Sequence, residues 1–207
     1  MARVSGPLMS MDASGTIAGA VTFSKWKGRP YVRRHTVPKN PQTPLQVGMR
    51  SMMSFLAPEW SGIYNGNHPS WDLFAEAQRI STFNAYIQEN LRNWRHFLAP
   101  SDEHPRNPVS TPPGAPTLTV VGGVRLLNIE IGAGIPAPTG GYIVMTDIST
   151  ILVEGLDKVK CVIGPLPDPR LISLNAVTGT TVFCIVRGFN VDGVIGPQSP
   201  ERDDLIL

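Results

Sequence analysis

Residues 180–190, TTVFCIVRGFN, set threonine, valine, isoleucine and phenylalanine in one run that ends at Gly188 and Asn190. A run of β-branched and aromatic residues closed by turn formers reads as a strand. The stretches upstream repeat the pattern: TLTVV (117–121), VRLLNIEI (124–131), GYIVMT (141–146), KVKCVIG (158–164) and RLISL (170–174). Gly, Pro or Asp separates these runs at intervals of about 8 to 15 residues, the spacing of a β-sandwich. Residues 117–207 are therefore expected to form an all-β domain.

Before that domain the sequence changes character. SDEHPRNPVSTPPGAP (101–116) holds five prolines among Ser, Thr, Asp and Asn, which predicts a semi-rigid linker and two halves that fold independently. Asp102, Glu103 and His104 are adjacent, so they converge poorly on one metal ion and read as a solvated loop. Residues 45–100 read as helical. Leu45 to Trp60 forms a first helix, with Thr43 as N-cap and Pro44 at the first position. In the second, capped by Ser70, residues Phe74, Ala77, Ile80, Phe83, Ile87, Leu91, Trp94 and Leu98 recur at three- and four-residue steps. Glu76, Arg79, Gln88, Glu89, Arg92 and Arg95 take the opposite face. One helix of about 29 residues would span about 43 Å. The first helix covers part of its stripe, and a further subunit is expected to cover the rest.

Residues 1–44 form the third part. TFSKWKGRPYVRRHTVPKNPQTP (22–44) carries six Lys/Arg and four prolines and no acid. Gly28 and Pro30 between two β-prone runs predict a hairpin, and prolines 38, 41 and 44 hold the chain extended along a surface. Lys25, Lys27, Arg29 and Arg33, spaced by two, would share one face of an extended strand, with Trp26 and Val32 on the other. Such an arm can neutralise phosphates or lie on another protein with Trp26 as its anchor. The helices add no basic residues to the patch, and Trp26 with Tyr31 is a thin stacking platform for bases. Docked prolines lose little entropy, so Lys25, Trp26, Lys27, Arg29, Tyr31, Arg33 and Arg34 are assigned to a protein-clasping arm. Phe74, Ile80, Phe83, Ile87, Leu91 and Trp94 are assigned to helix packing.

Composition agrees with this division. The 207 residues include 20 Pro and 20 Gly with only 16% charged, which favours short strands and loops. The net charge is +2, yet residues 1–60 hold eight Lys/Arg against Asp12 and Glu59, so basic character is local to the arm. Cys161 and Cys184 sit in strand-like runs and read as small core residues, with their pairing open. The N-terminal stretch is broken by Gly6, Pro7, Asp12, Ser14 and Gly15, which predicts neither export signal nor membrane span. A glycine-rich phosphate loop, a His-Glu-x-x-His helix, a nucleophile elbow and a paired-cysteine zinc pattern are all missing from the sequence. His35, His68, His96 and His104 are scattered. The expectation is a protein with no enzymatic activity and no cofactor.

Two resemblances add to this reading. VTGTTVFCIVRGFNVDGVIGPQSP (177–200) resembles the last two strands of a fibronectin type III domain: Val177, Thr181 and Phe183 match its alternating pattern, and Asn190-Val191-Asp192-Gly193 matches the turn before the final strand. Phe183 stands where the family has tyrosine, and Ile129 or Ile131 where it has tryptophan. The segments 5–34, 40–60 and 80–94 resemble a group of uncharacterised tailed-phage proteins that combine a Trp-Lys-Gly hairpin (26–28), an Asn-Pro-x-Thr-Pro arm (40–44) and an Ile-Ser-x-Phe-Asn segment (80–84). That resemblance covers about residues 5–98 and implies a virion structural component, made in the host cytoplasm.

The expected fold is thus α+β in several parts: an extended N-terminal β-hairpin arm (1–44), a helical hairpin (45–100), a linker (101–116) and an immunoglobulin-like, fibronectin type III-like sandwich (117–207). The expected function is a capsid-associated decoration protein or a minor head or neck component. It would anchor through its N-terminal half to major capsid or neck and tail proteins, as a homo-oligomer within the particle, with no membrane. The alternatives are a module that binds host-surface glycans or proteins, and an arm that contacts packaged DNA.

Overall fold

The computed structural model describes residues 3–4, 13–26, 29–37, 39–40, 42–65, 69–151, 153–165 and 170–207, with backbone alone at 3, 4, 13, 14, 26, 29, 30, 64, 65 and 69. Two compact units divide at residues 41 and 42. The smaller is an antiparallel sheet of β1 (Arg3–Val4), β2 (Ala13–Ile17), β3 (Val21–Trp26) and β4 (Arg29–Arg34), in that order.

In the larger unit the run read first becomes the central strand. Three helices come first, α1 (Pro44–Asn65), α2 (Pro69–Gln78) and α3 (Thr82–Trp94). They are followed by β5 (Thr117–Gly123), β6 (Leu126–Gly132), β7 (Gly141–Asp147), β8 (Val159–Ile163), β9 (Arg170–Asn175), β10 (Thr181–Phe189), β11 (Ile195–Gln198) and β12 (Arg202–Leu205). One sheet has the order β11-β10-β7-β8, with β12 also on β10; the other has the order β5-β6-β9. All these pairings are antiparallel. The class is mixed helix and sheet with segregated elements, α+β.

Strands β7 and β10 explain why their sequences are apolar without alternation. Tyr142, Val144, Val182, Cys184 and Val186 meet Leu118, Leu127, Ile129 and Ile131 of the smaller sheet. The intervening Ile143, Met145, Ile185 and Phe189 point the other way and pack with Met52, Phe55, Leu56, Tyr86 and Trp94 of the helices. A strand covered on both faces has no polar side, so its sequence reads as a continuous apolar run. The larger unit is therefore three layers: small sheet, large sheet, helices. Phe55 of α1 and Phe189 of β10 meet edge to face at 5.6 Å.

This arrangement corrects three sequence expectations. The stripe Phe74, Ile80, Phe83, Ile87, Leu91 and Trp94 takes cover from the large sheet as well as from α1, with Ile87 and Trp94 buried and the other four half-buried. The single long helix is two. Arg79 adopts a left-handed φ of 55°, with Arg79 N–H donating to Glu76 O and Ile80 N–H to Ala75 O, both at 3.1 Å. That is a Schellman stop with arginine in the place of glycine. Ser81 then caps α3 through Asn84 N–H at 3.3 Å. Apolar periodicity runs across the break because both segments face one core.

The third correction concerns residues 101–116, which are strapped to the β layer. Asp192 accepts Val109 N–H at 2.9 Å and Ser110 N–H at 2.7 Å, and the Asn190 side-chain amide donates to Thr111 O at 2.9 Å. Pro113 and Pro116 are buried. Prolines remove donors, but the N–H and C=O groups between them still need partners, and the β10–β11 turn supplies them. Helices and sheets thus form one unit, and the independent folding of the halves expected from the linker does not describe this structure. Among the described residues no helix is long and apolar enough to cross a membrane.

Candidate functional site

The basic arm is the first candidate. Its pairing runs Val21↔Arg34, Thr22↔Arg33, Phe23↔Val32, Ser24↔Tyr31, Lys25↔Pro30 and Trp26↔Arg29. Each pair of numbers sums to 55, so odd residues of β3 share a face with even residues of β4. Lys25 therefore lies in the row of Val21, Phe23, Val32 and Arg34, whereas Arg33 lies with Thr22, Ser24 and Tyr31. The single basic face expected from odd spacing does not form, because β3 and β4 pair antiparallel with Trp26 opposite Arg29, which switches the parity between the two strands. Tyr31, Arg33 and Arg34 are exposed, as is Val32 at 59%. Lys25 is exposed and engaged in a contact of its own. Lys27 and the side chains of Trp26 and Arg29 lie outside the described residues. His35 closes the sheet: its N–H donates to Ala20 O at 2.7 Å, and its Nδ1 lies 3.3 Å from Thr22 Oγ1.

The second candidate is a cavity of about 600 Å3 in the larger unit, lined by Leu127, Leu174 and Val182 with Thr146, Lys158 and Lys160. Two sides of the gap between the sheets differ. Beside β5 the gap is closed, with Gly122 N–H donating to Asp204 Oδ2 at 2.8 Å and Leu207 N–H to Gly123 O at 3.2 Å. Beside β8 and β9 it is open, and Cys161, Ile163, Ile172 and Leu174 stay half-buried. Lys158 pairs with Asp147 and lies 3.7 Å from Asp157. Burial would push the Asp147 carboxyl up, but hydrogen bonds from Lys158 and the Ile148 N–H outweigh it and hold the group below the usual carboxylate range.

A third cluster lies where the helices meet residues 101–104, and nothing in the sequence singled it out. Asn90 brackets Ser101, accepting its N–H at 2.8 Å and donating to its carbonyl at 3.1 Å. The Trp71 indole donates to Asp102 O at 2.5 Å. The His104 ring lies 3.9 Å from Phe74 and 5.2 Å from Trp71. This segment is not the solvated loop expected from its composition. Burial first, then the carboxylates of Glu59 and Glu103, push the Asp102 carboxyl up to about 7. Burial, with Asp102 and Glu59, likewise raises the Tyr86 phenol.

The remaining chemical groups do not assemble. Among the described residues no three His, Cys, Asp or Glu side chains could hold a metal ion. Cys161 aligns with Val144 of β7, and Cys184 with Thr146 of the same strand. The two thiols are therefore separated by two inter-strand spacings of about 4.8 Å each, beyond the reach of a disulfide. Both are free, and burial raises them, Cys161 to about 11 and Cys184 to about 12.

No protein-family model matches the chain, and no curated protein matches it. Among solved structures, the chain is similar to a beta-1,2-glucanase from Parabacteroides distasonis, with 16% identity over 48% of this chain and a TM-score of 0.38. The match spans 13% of that enzyme's length.

Proposed function

We propose that the chain is a non-enzymatic structural protein of a tailed-phage particle, a decoration protein or a minor head or neck component, whose arm anchors it while the larger unit is displayed. The observation that carries the reading is the division at residues 41 and 42. It sets apart a short sheet whose Tyr31, Val32, Arg33 and Arg34 are exposed, followed by an exposed segment of Thr36, Val37, Lys39 and Asn40 with no helix or strand. An exposed arm with basic and apolar side chains and no acid from 22 to 44 suits docking on an acidic neighbouring subunit. The capsid or neck and tail proteins, and further copies of this chain, are its partners in this reading.

The β part of the larger unit is read as an immunoglobulin-like sandwich. Its first, second and fifth strands, β5, β6 and β9, share one sheet, and β7, β8, β10 and β11 share the other, the distribution that fold uses. The fold itself names no ligand.

Deleting residues 1–41 tests the anchoring. Mass spectrometry of purified particles should lose the protein while residues 42–207 still fold; unchanged incorporation overturns the reading. The open cavity beside β8 and β9 favours a second reading, recognition of host-surface glycans or proteins. In that case residues 42–207 alone bind host cells, and substitutions at Lys160 reduce the binding. Steeply salt-dependent DNA binding by residues 1–41, abolished by changing Arg33 and Arg34, would instead assign the arm to packaged DNA.

A further inference from the structure

Residues 101–104 tie the layers of the larger unit together through main-chain bonds. The Asp102 N–H donates to Val191 O on the β10–β11 turn at 2.9 Å, while its carbonyl accepts the Trp71 indole of α2. One residue thus bridges the helical layer and the sheet. Its carboxyl lies in a cluster drawn from several elements: Glu59 of α1, which stands against Gly164 at the end of β8, Tyr86 of α3, and Glu103 of the same segment. The His104 ring packs at a tilt against Phe74 and Trp71. Arg106, the nearest cation along the segment, donates to Gly193 O and is drawn to Asp192. Among the described residues, the charged groups that act on Asp102 are carboxylates.

We propose that residues 101–104 form a proton-dependent latch between the helical layer and the β10–β11 turn, closed while the Asp102 carboxyl holds its proton and loosened when it ionises beside Glu59. A carboxylic acid is neutral and can stay buried. Asp102 and Glu59 are half-buried, so the Asp102 carboxylate would be a second negative charge in a site that hydrates it only in part, and opening the segment completes the hydration. Because the group is raised from 3.8 to about 7 in the closed form, closure is favoured at acid pH. The advantage is fully present below about pH 4 and is lost as pH rises through about 7.

Hydrogen exchange on the full chain between pH 5 and pH 8, corrected for the intrinsic pH dependence of amide exchange, tests the latch. Protection of residues 101–104 and of α2 should fall by about ten- to a hundredfold across that range, while the α1 core around Met52 and Leu56 serves as an unmoved reference. In Asp102→Asn the fall should vanish. Glu59→Gln should move its midpoint to lower pH, since removing a neighbouring negative charge takes away part of the rise: the Asp102 carboxyl ionises earlier and at less cost, so the size of the fall shrinks. The measure that decides is that size. A wild type with flat protection, an equal loss across the whole chain, or an undiminished fall in Asp102→Asn overturns the latch. Should Asp102→Asn fail to fold, an undiminished fall in Glu59→Gln overturns it alone.

Discussion

At glycine 48, α1 packs tightly on Leu156 and Val159 where the chain enters β8, and adding one methyl group there tests the three-layer architecture. In an exposed helix interior, Gly→Ala stabilises by about 1 kcal/mol. At Gly48 the new Cβ would fall inside the contact distance of the Leu156 carbonyl oxygen, with its carbon at 3.3 Å and Val159 Cβ at 3.6 Å. Backbone cannot rotate away as a side chain does, so the helix must lift. Lifting it loosens the Trp94 indole, whose N–H donates to Gly48 O at 3.0 Å in a buried setting. Overpacking costs about 1–3 kcal/mol and a weakened buried hydrogen bond about 1 kcal/mol, together outweighing the gain in propensity. Gly48→Ala should therefore destabilise residues 42–207 by about 1–3 kcal/mol, or roughly 3–10 °C in Tm for a unit of this size. Gly62 lies on the same helix, exposed, with nothing near an added Cβ, and Gly62→Ala should stabilise by about 0.5–1 kcal/mol. Urea and thermal unfolding, followed by tryptophan fluorescence and circular dichroism, measure both. A Gly48→Ala protein as stable as the wild type would mean that α1 does not pack on β8, and the three-layer account would fail.

A fragment of residues 114–207 should aggregate or bind a hydrophobic dye, because it bares Ile143, Met145, Ile185 and Phe189; a well-behaved monomer would show that the helical layer is dispensable. Limited proteolysis should leave residues 106–111 intact in the wild type and cut them in Asp192→Ala, which removes the acceptor of Val109 and Ser110 N–H; equal resistance in both would show the strap is held otherwise. Cys184, fully buried with its thiol raised, should resist alkylation until the chain unfolds, whereas labelling of the native protein at an ordinary rate would contradict its placement between the sheets.

The strands were legible because a strand closes its pattern locally. TTVFCIVRGFN, GYIVMT and VRLLNIEI carry β-branched residues between turn formers, and each matches a strand of the structure to within a residue or two at its ends. The start of α1 at Pro44 was equally local. What lies against what was another matter. The unbroken apolar run of β7 demands cover on both faces without saying by what, and only the tertiary structure assigns the second face to α1 and α3. Sequence periodicity also passes through the Arg79–Ser81 break, since a stripe keeps its phase when two helices share one core. The row of basic residues in the arm changed because facing depends on where the chain reverses, and one pairing, Trp26 with Arg29, decides the parity of all the others. The cluster around Asp102 was invisible for the same reason. Glu59, Tyr86 and Asp102 are ordinary polar residues scattered along 44 positions of sequence, and their chemistry arises only when packing brings them together and shields them in part from water.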